Sequence, residues 1–246
     1  MFTPQGPTFR ELAVQALSSV EHGYDLLAPK FDHTPFRTPD SVLRSVAQAL
    51  RRIGPFESGL DLCCGTGAGM DVLRAVCREQ VTGVDISAGM LAVARERSEA
   101  RPGGPPTAWV RGDARALPFG PAFDLVVSFG AFGHFLPGEL PGLFAQVHSV
   151  LRPGGRFAFP IGSPARPGSR GYWALLGFDA AMRVRNAVWR PPFVMYYREF
   201  RLDDVRRELA RAGFSVELYA LPEFGRRSDG SPRCRMVVAT KPGSAE

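Results

Sequence analysis

Short apolar runs alternate with amphipathic stretches from Ser58 to about Val150, and this alternation constrains the fold more than any other feature. The apolar runs predict strands, and the stretches between them have the spacing of helices. Strands separated by helices pair in parallel, because the chain must cross the sheet before each new strand. The predicted strands are 59–64, 81–85, 107–111, 123–129 and 156–160, and the predicted helices are 68–77, 88–98 and 140–151.

The alternation stops after the fifth predicted strand. Residues 161–200 form an insertion rich in glycine, proline, arginine and aromatic residues, which we call the lid. A helix is predicted at 202–212, ending at Gly213, a residue suited to a left-handed cap. Strands are predicted at 214–221 and 234–240, with no room for a helix between them. These last two strands should therefore be antiparallel neighbours.

The chain of 246 residues is long enough to bury one full core, which predicts a single domain, 1–246. Its first part, residues 1–55, has helical patterns at 9–19 and 39–52 and is called the cap. The remaining divisions of the predicted domain are a core at 56–160, the lid at 161–200, and a C-terminal helix with antiparallel strands at 201–240.

The formal net charge of +6 raises the question of a nucleic-acid partner. Lys30 and Lys241 are the only lysines, and the arginines are spread along the whole chain. Binding to nucleic acid favours basic residues clustered on one surface with aromatics between them. The composition therefore argues against a dedicated nucleic-acid surface.

The sequence gives no sign of a membrane or secreted protein. No apolar run approaches the roughly 18 residues that span a membrane, and the first residues lack the features of a secretion signal. We therefore expect a cytoplasmic protein without a membrane partner. The cysteines make no C-x-x-C pair, so neither a disulfide nor a metal site is expected, and Cys77 is predicted to lie on the helix 68–77.

A glycine-rich loop, Gly65-Thr66-Gly67-Ala68-Gly69, lies between the first predicted strand and helix. Such a loop lets the backbone approach a triphosphate, a dinucleotide or S-adenosylmethionine. A triphosphate loop would end in Gly-Lys-Ser or Gly-Lys-Thr, and no lysine follows here. The dinucleotide pattern needs glycine where Met70 stands. S-adenosylmethionine is the option that remains.

Three acidic residues support that choice by their positions. Asp61, inside the first strand, is a candidate partner for the cationic amino end of a methionine group, because a buried carboxylate needs such a partner. Asp85 ends the second strand, where it can accept both ribose hydroxyls or instead cap the following helix. Asp113 follows the third strand and could accept an adenine amino group. Ile86 and Met90 would flank that base, or serve as ordinary core residues.

Taken together, these motifs resemble the class I methyltransferase family, especially its group that acts on small molecules. The resemblance rests on the runs Leu-Asp-Leu-Cys-Cys-Gly-Thr-Gly, Gly-Val-Asp-Ile-Ser, Gly-Asp-Ala, Phe-Asp-Leu-Val-Val-Ser and Leu-Arg-Pro-Gly-Gly. It implies a doubly wound α/β fold with seven strands in the order 3-2-1-4-5-7-6, of which strand 7 is antiparallel. It also implies S-adenosyl-L-methionine as the cofactor.

The resemblance further implies how the cofactor would lie. Asp61 and the backbone of the glycine loop would face the methionine part, Asp85 the ribose, Asp113 the adenine edge, and Ser128 the region near the methyl donor. The pairs Tyr24-Asp25 and Phe31-Asp32 resemble the segment that precedes the family's core. The residues predicted to bind cofactor are Tyr24, Asp61, Cys63, Gly65, Thr66, Gly67, Asp85, Ile86, Met90, Asp113, Ala114 and Ser128.

Methyl transfer is an in-line displacement that depends mainly on positioning, and a base is needed only where the acceptor carries a proton. His134, after the fourth strand, is the candidate base, although it could equally cap or support the next helix. In the family that this chain resembles, an Asn-Pro-Pro-Tyr run accompanies methylation of amino groups on bases or on glutamine. No such run is present, so we expect O- or N-methylation of a small-molecule acceptor. A nucleic-acid methyltransferase and a non-catalytic S-adenosylmethionine-binding protein stay open as alternatives.

Overall fold

A computed structural model describes residues 5–34, 36–163, 168–188 and 201–243. Its helices are α1 (Phe9–Leu17), α2 (Val20–Leu27), α3 (Asp40–Ile53), α4 (Ala68–Val76), α5 (Ala88–Glu99), α6 (Leu140–Val150), α7 (Arg170–Val188) and α8 (Leu202–Arg211). Its strands are β1 (Phe56–Leu62), β2 (Cys77–Asp85), β3 (Thr107–Arg111), β4 (Phe123–Val127), β5 (Leu151–Gly162), β6 (Ser215–Ala220) and β7 (Cys234–Thr240). Short 3-10 helices lie at Ala28–His33, Phe132–His134, Pro137–Glu139 and Pro222–Phe224.

The seven strands form one sheet in the order β3-β2-β1-β4-β5-β7-β6. The first five strands are parallel to one another, and β7 is antiparallel to both β5 and β6. The predicted order and the antiparallel seventh strand are therefore confirmed. The reversal between β1 and β4 opens a crevice at the carboxyl edge of the sheet, where open α/β folds bind ligands.

Two apolar layers enclose the sheet. On one face α3, α4 and α5 contribute Leu50, Leu73 and Leu91, and on the other α6 and α8 contribute Phe144 and Leu209. All five side chains are essentially buried, so the sheet is covered on both faces as a parallel sheet requires. In the part of the chain described, no helix has both the length and the apolar character needed to cross a membrane.

Several predicted boundaries in the core were wrong: β1 runs from Phe56 to Leu62 rather than 59–64, and β4 ends at Val127 rather than residue 129. Cys77 is not on a helix, because α4 ends at Val76 and Cys77 has the extended backbone of the first residue of β2. The fifth strand begins at Leu151 rather than residue 156, since Leu151 already pairs with Phe123 before the register shifts. The segment Pro153-Gly154-Gly155 therefore lies inside β5, where the register with β4 shifts.

The cap also has more structure than its sequence pattern predicts. The segment 24–32, predicted to separate two helices, contains the end of α2 and the 3-10 helix Ala28–His33. Ser19 starts α2 because its side chain accepts a hydrogen bond from the His22 N–H at 3.2 Å. Tyr24 therefore lies on a helix rather than in a loop.

Candidate active site

The glycine-rich loop continues from β1 and begins with an unusual backbone. Cys63, Gly65 and Gly67 all have positive φ angles, of 57°, 52° and 84°. Among the described residues, Cys63 is the only non-glycine residue with a positive φ angle. Gly67 caps α4, and a Cβ there would lie 3.2 Å from the Trp109 ring. Glycine is thus needed at position 67 for both conformation and space.

Asp61, at the carboxyl end of β1, is 1% exposed and fully enclosed by the core. Neither of its carboxylate oxygens has a hydrogen-bond partner among the described residues. Burial, and secondarily the negative charge of Asp85, raise the pKa of Asp61 well above its usual value. A buried carboxylate without a partner costs free energy, so the residue suits a ligand that carries a positive charge.

Asp85 ends β2 and is held by the backbone on both of its oxygens. The N–H groups of Gly65 and Ser87 donate to Oδ2 and Oδ1 at 2.8 and 2.9 Å. Burial raises the pKa of Asp85, and these hydrogen bonds oppose the rise. Ser87, not Asp85, caps α5, because the Ser87 hydroxyl accepts from the Met90 N–H. Asp85 is therefore oriented but retains lone pairs for a ligand.

Asp113 forms hydrogen bonds with Arg115, a contact that was not predicted from the sequence. The Arg115 guanidinium donates to its carboxylate at 2.7 and 3.0 Å and also to Glu139 at 2.9 Å. The charge and hydrogen bonds of Arg115 lower the pKa of Asp113. The Asp113 carboxylate would therefore accept from an adenine amino group only with the lone pairs that Arg115 does not use.

Two cavities lie at the carboxyl edge of the sheet. The larger has a volume of about 470 Å³, within the range of small-molecule sites. Its lining residues are Ser19, Val20, Glu21, Tyr24, Cys63, Val84, Asp85, Ile86, Gly112, Asp113, Ala114, Arg115, Ala131, His134, Phe135, Leu136 and Glu139. The smaller, of about 90 Å³, is lined by Tyr24, Phe31, Phe36, Cys63, Gly65, Met90, Phe129, Gly130, Ala131 and His134.

Tyr24 and His134 line both cavities and are hydrogen-bonded to each other. The Tyr24 hydroxyl lies 2.7 Å from His134 Nε2, and the two rings are nearly perpendicular at 86°, with their centroids 5.2 Å apart. Tyr24 comes from α2, whereas His134 ends the 3-10 turn after β4. The pair joins the cap to the core at the point where the two cavities meet.

Two further cap carboxylates bind the loops of the core. Asp25 accepts hydrogen bonds from the Ser87 hydroxyl at 2.6 Å and the Gly89 N–H at 2.8 Å, at the start of α5. Asp32 accepts from the Thr66 hydroxyl at 2.6 Å and is paired with Arg97. Asp25 and Asp32 belong to the pairs Tyr24-Asp25 and Phe31-Asp32 that resemble the family's segment before the core, and no role was predicted for either carboxylate.

The structure brings nine of the thirteen predicted site residues to the cavities: Tyr24, Cys63, Gly65, Asp85, Ile86, Met90, Asp113, Ala114 and His134. Four others, Asp61, Thr66, Gly67 and Ser128, are buried and line neither cavity. Ser128 is fully buried and its hydroxyl donates to the Leu62 carbonyl at 3.0 Å. Within the described ranges, no group of three or more His, Cys, Asp or Glu residues is arranged to hold a metal ion.

Comparison with solved structures identifies the fold. Magnesium protoporphyrin IX methyltransferase from Synechocystis, solved with bound S-adenosylhomocysteine, has a TM-score of 0.56 and 21% identity, with 81% of each chain covered. Residues 60–155 also match a family model described as a methyltransferase domain. The fold is therefore the Rossmann-like fold of S-adenosylmethionine-dependent methyltransferases.

Similar sequences define the family. A methyltransferase of Synechocystis sp., described as uncharacterized, is 33% identical over 172 residues, which are 68% of this chain and 73% of the relative. The 2-phytyl-1,4-naphtoquinone methyltransferase of Thermosynechococcus vestitus is 37% identical over 106 residues, or 41% of this chain, and the match spans 44% of that relative. The chain belongs to the class I S-adenosylmethionine-dependent methyltransferases. It is an enzyme whose cofactor is S-adenosyl-L-methionine, which excludes the non-catalytic alternative.

Proposed function

We propose that this enzyme transfers a methyl group to an oxygen or nitrogen atom of a small acceptor bound in the larger cavity. The hydrogen-bonded pair Tyr24–His134, at the junction of the two cavities, is the observation that carries this proposal. An acceptor hydroxyl or amine loses a proton when its oxygen or nitrogen is methylated. A neutral imidazole within hydrogen-bond reach can take that proton.

S-adenosylmethionine supplies an electrophilic methyl group on a sulfonium, and the chain has residues suited to each part of it. Asp61 would pair with the ammonium of the methionine part, which removes the cost of the partnerless buried carboxylate. Asp85 would accept hydrogen bonds from the ribose hydroxyls with its remaining lone pairs. Ile86 and Met90 would flank the adenine, and Asp113 with Arg115 would line its polar edge.

The four predicted site residues that line neither cavity divide into two groups under this proposal. Asp61 would contact the cofactor directly, because its unpartnered oxygens need a cation. Thr66, Gly67 and Ser128 would act by holding the loop and strand ends in position, since Thr66 and Ser128 use their hydroxyls on protein atoms. We therefore assign these three residues a positioning role rather than direct contact.

The cavity lining favours an acceptor with a planar or apolar body. Val20, Tyr24, Phe135 and Leu136 provide apolar and aromatic surface, and a volume of about 470 Å³ can hold a small molecule. Two similar proteins are named for a naphtoquinone and for magnesium protoporphyrin IX, both of which are planar. We propose that a planar ring bearing a hydroxyl or amino group lies against these side chains.

The transfer would follow an in-line displacement with three contributions from the chain. The cavity walls would hold the acceptor lone pair behind the methyl carbon, which is the largest contribution. The cap would exclude water from the junction of the cavities. His134 would accept the acceptor proton at Nε2, either directly or through the Tyr24 hydroxyl that lies 2.7 Å away.

Turnover of labelled S-adenosylmethionine with a panel of phenols, hydroquinones, amines and tRNA tests the proposal. We expect O- or N-methylated small molecules, identified by mass spectrometry, and no methylated tRNA. His134→Gln should lower kcat by about 10² to 10⁴, as expected for loss of a general base, while S-adenosylhomocysteine binding stays unchanged. Tyr24→Phe should lower kcat less. A product methylated at carbon, or full activity of His134→Gln, would contradict the proposal.

A further inference from the structure

One arginine joins the loop after β3 to the segment after β4. The Arg115 guanidinium donates to Asp113 Oδ2 at 2.7 Å through Nη2 and to Glu139 Oε1 at 2.9 Å through Nη1. The Arg115 backbone N–H also donates to Asp113 Oδ1 at 2.9 Å. Glu139 stands 24 positions further along the chain than Arg115. The arginine therefore bridges two carboxylates that belong to different parts of the fold.

These two parts of the chain are not neighbours in the sheet. The strand order places β2 and β1 between β3 and β4. Adjacent strands lie about 4.8 Å apart, so β3 and β4 are separated by about 14 Å. The ion pair of Arg115 with Glu139 therefore spans this distance at the carboxyl edge of the sheet, where the crevice lies.

The segment 132–139 is fixed at its start by apolar packing and at its end by Glu139. Phe132 packs edge to face against the buried Phe159 ring, with the ring centroids 4.8 Å apart. Glu139 Oε2 accepts a hydrogen bond from the Leu136 N–H at 2.7 Å, and Oε1 accepts from the arginine. Glu139 thus transmits the position of the arginine to the middle of this segment.

The bridge lies on the wall of the larger cavity. Asp113, Arg115 and Glu139 all line that cavity, together with His134. The Arg115 side chain is 52% exposed, and half-exposed ion pairs contribute little to the stability of a fold. The bridge can therefore set the relative position of the two segments although it adds little to stability.

We propose that Arg115 is a positioning residue that links cofactor binding to the position of His134. Under the proposed function, on which this step rests, the adenine amino group donates to Asp113. That contact immobilises the Asp113 carboxylate and the Arg115 side chain bonded to it. Glu139 and the segment 132–139 are then held in one position, because ordering one end of a connected network lowers the entropic cost of ordering the other.

Hydrogen exchange of backbone amides tests this link without an acceptor. In the wild-type protein, saturating S-adenosylhomocysteine should slow exchange in residues 132–139 by about two- to fivefold, as suits a half-exposed ion pair. Glu139→Gln keeps an oxygen for the Leu136 N–H but loses the charge that binds Arg115. In this variant and in Arg115→Ala the slowing in residues 132–139 should be absent, while exchange in residues 85–87 is still slowed.

Turnover of an acceptor gives a second readout, which does require the proposed function. Glu139→Gln should lower kcat by about 5- to 50-fold, because His134 is displaced, and should change the KM of the cofactor by less than about threefold. Arg115→Lys should retain part of the kcat lost in Arg115→Ala, since lysine keeps the charge but lacks the planar fork that bridges two carboxylates. Where no acceptor is turned over, the exchange experiment still decides the proposal.

Arg207 on α8 provides a matched control. Its side chain is also 52% exposed and is paired with two acids, Asp204 and Glu208, but all three residues lie on one helix. Arg207→Ala should therefore change neither the exchange of residues 132–139 nor turnover.

Two results would overturn the proposal. The first is equal slowing of exchange in residues 132–139 by S-adenosylhomocysteine in the wild-type protein and in Glu139→Gln. The second is a fall in melting temperature in Arg115→Ala that far exceeds the fall in Arg207→Ala, because Arg115 would then be a residue that stabilises the fold.

Discussion

The core and the cap with α7 are built in different ways, although they meet at the same cavities. In the core, the ends of β1, β2 and β4 hold buried residues such as Asp61 and Ser128 in a sheet that is covered on both faces. Residues 5–34 of the cap contact it through polar groups of Tyr24, Asp25 and Asp32, whereas α3 of the cap belongs to the apolar layer on the sheet. Helix α7 has two buried side chains, Asp179 and Met182, and Met182 packs against Val20 and Tyr24 of the cap.

We propose that this difference serves two tasks, with the core binding the cofactor and the cap with α7 admitting the acceptor. Binding a constant cofactor favours fixed, tightly packed groups, because each displacement weakens several contacts at once. Admitting and releasing an acceptor favours elements held by contacts of low total free energy, since these can open without unfolding the sheet. The following substitutions test whether the two regions can be altered separately.

The largest effect is expected at the buried carboxylate of the core. Asp61→Asn should weaken S-adenosylhomocysteine binding by about 2 to 5 kcal/mol, measured by calorimetry, because the ammonium loses its charged partner. The same substitution should raise the melting temperature of the ligand-free protein at neutral pH. Asp203→Asn, on the exposed start of α8, is the matched control and should change neither quantity.

The pH dependence gives Asp61→Asn a second readout. The pKa of Asp61 is raised in the folded protein, whereas the unfolded chain ionises near 3.8. Between these values the folded state binds more protons, so the stability of the ligand-free protein falls as pH rises above about 4. Asp61→Asn should remove this contribution, and its stabilising effect should shrink as the pH is lowered towards 4. A stabilisation that does not depend on pH would contradict the assignment.

The next largest effect is expected from adding a methyl group at Gly69, beside Asp61. A Cβ at Gly69 would lie 2.5 Å from Asp61 Oδ2 and 2.6 Å from the Phe129 ring. Gly69→Ala should therefore destabilise the protein by about 1 to 3 kcal/mol, measured by urea unfolding, in spite of alanine's higher helix propensity. An unchanged or increased stability would show that this part of the core is less tightly packed than described.

Releasing the cap should have a smaller and local effect. Asp25→Ala removes the acceptor of the Ser87 and Gly89 hydrogen bonds, and should weaken cap docking by about 1 to 2 kcal/mol. Trypsin cleavage after Lys30 should become about 5 to 30 times faster, while urea unfolding of the sheet changes little. His22→Ala, exposed on the same helix, should leave cleavage unchanged. Loss of the whole fold in Asp25→Ala would show that cap and core are one cooperative unit.

The smallest effect should come from the same glycine-to-alanine change in α7. Gly177 lies in the middle of this helix and nothing lies within 4 Å of a Cβ built there. Gly177→Ala should stabilise α7 by at most about 1 kcal/mol, because alanine loses less conformational freedom in a helix. Slower proteolysis of α7 would measure it. Destabilisation here would mean that the exposed side of α7 around Gly177 is packed against another group.

The contrast between the two regions also explains how much the sequence could predict. Strands β3 and β7 and the positions of Asp61 and Asp85 follow from apolar runs and from the residues that end them, which are local features. The pairing of Tyr24 with His134 joins residues 110 positions apart, so no local pattern could reveal it. The bonds of Asp113 to Arg115 connect close neighbours, but they depend on side-chain conformations that sequence does not determine.

The position of β7 in the sheet has a consequence for how the chain folds as it is synthesised. β6 lies at the edge of the sheet and its neighbour is β7, which also pairs with β5 along Arg156 to Gly162. The ribosome synthesises β6 before residues 234–240, so β6 has no strand to pair with until those residues have emerged. The parallel half of the sheet can assemble earlier, whereas the last two strands can be added only when the final strand inserts between its neighbours.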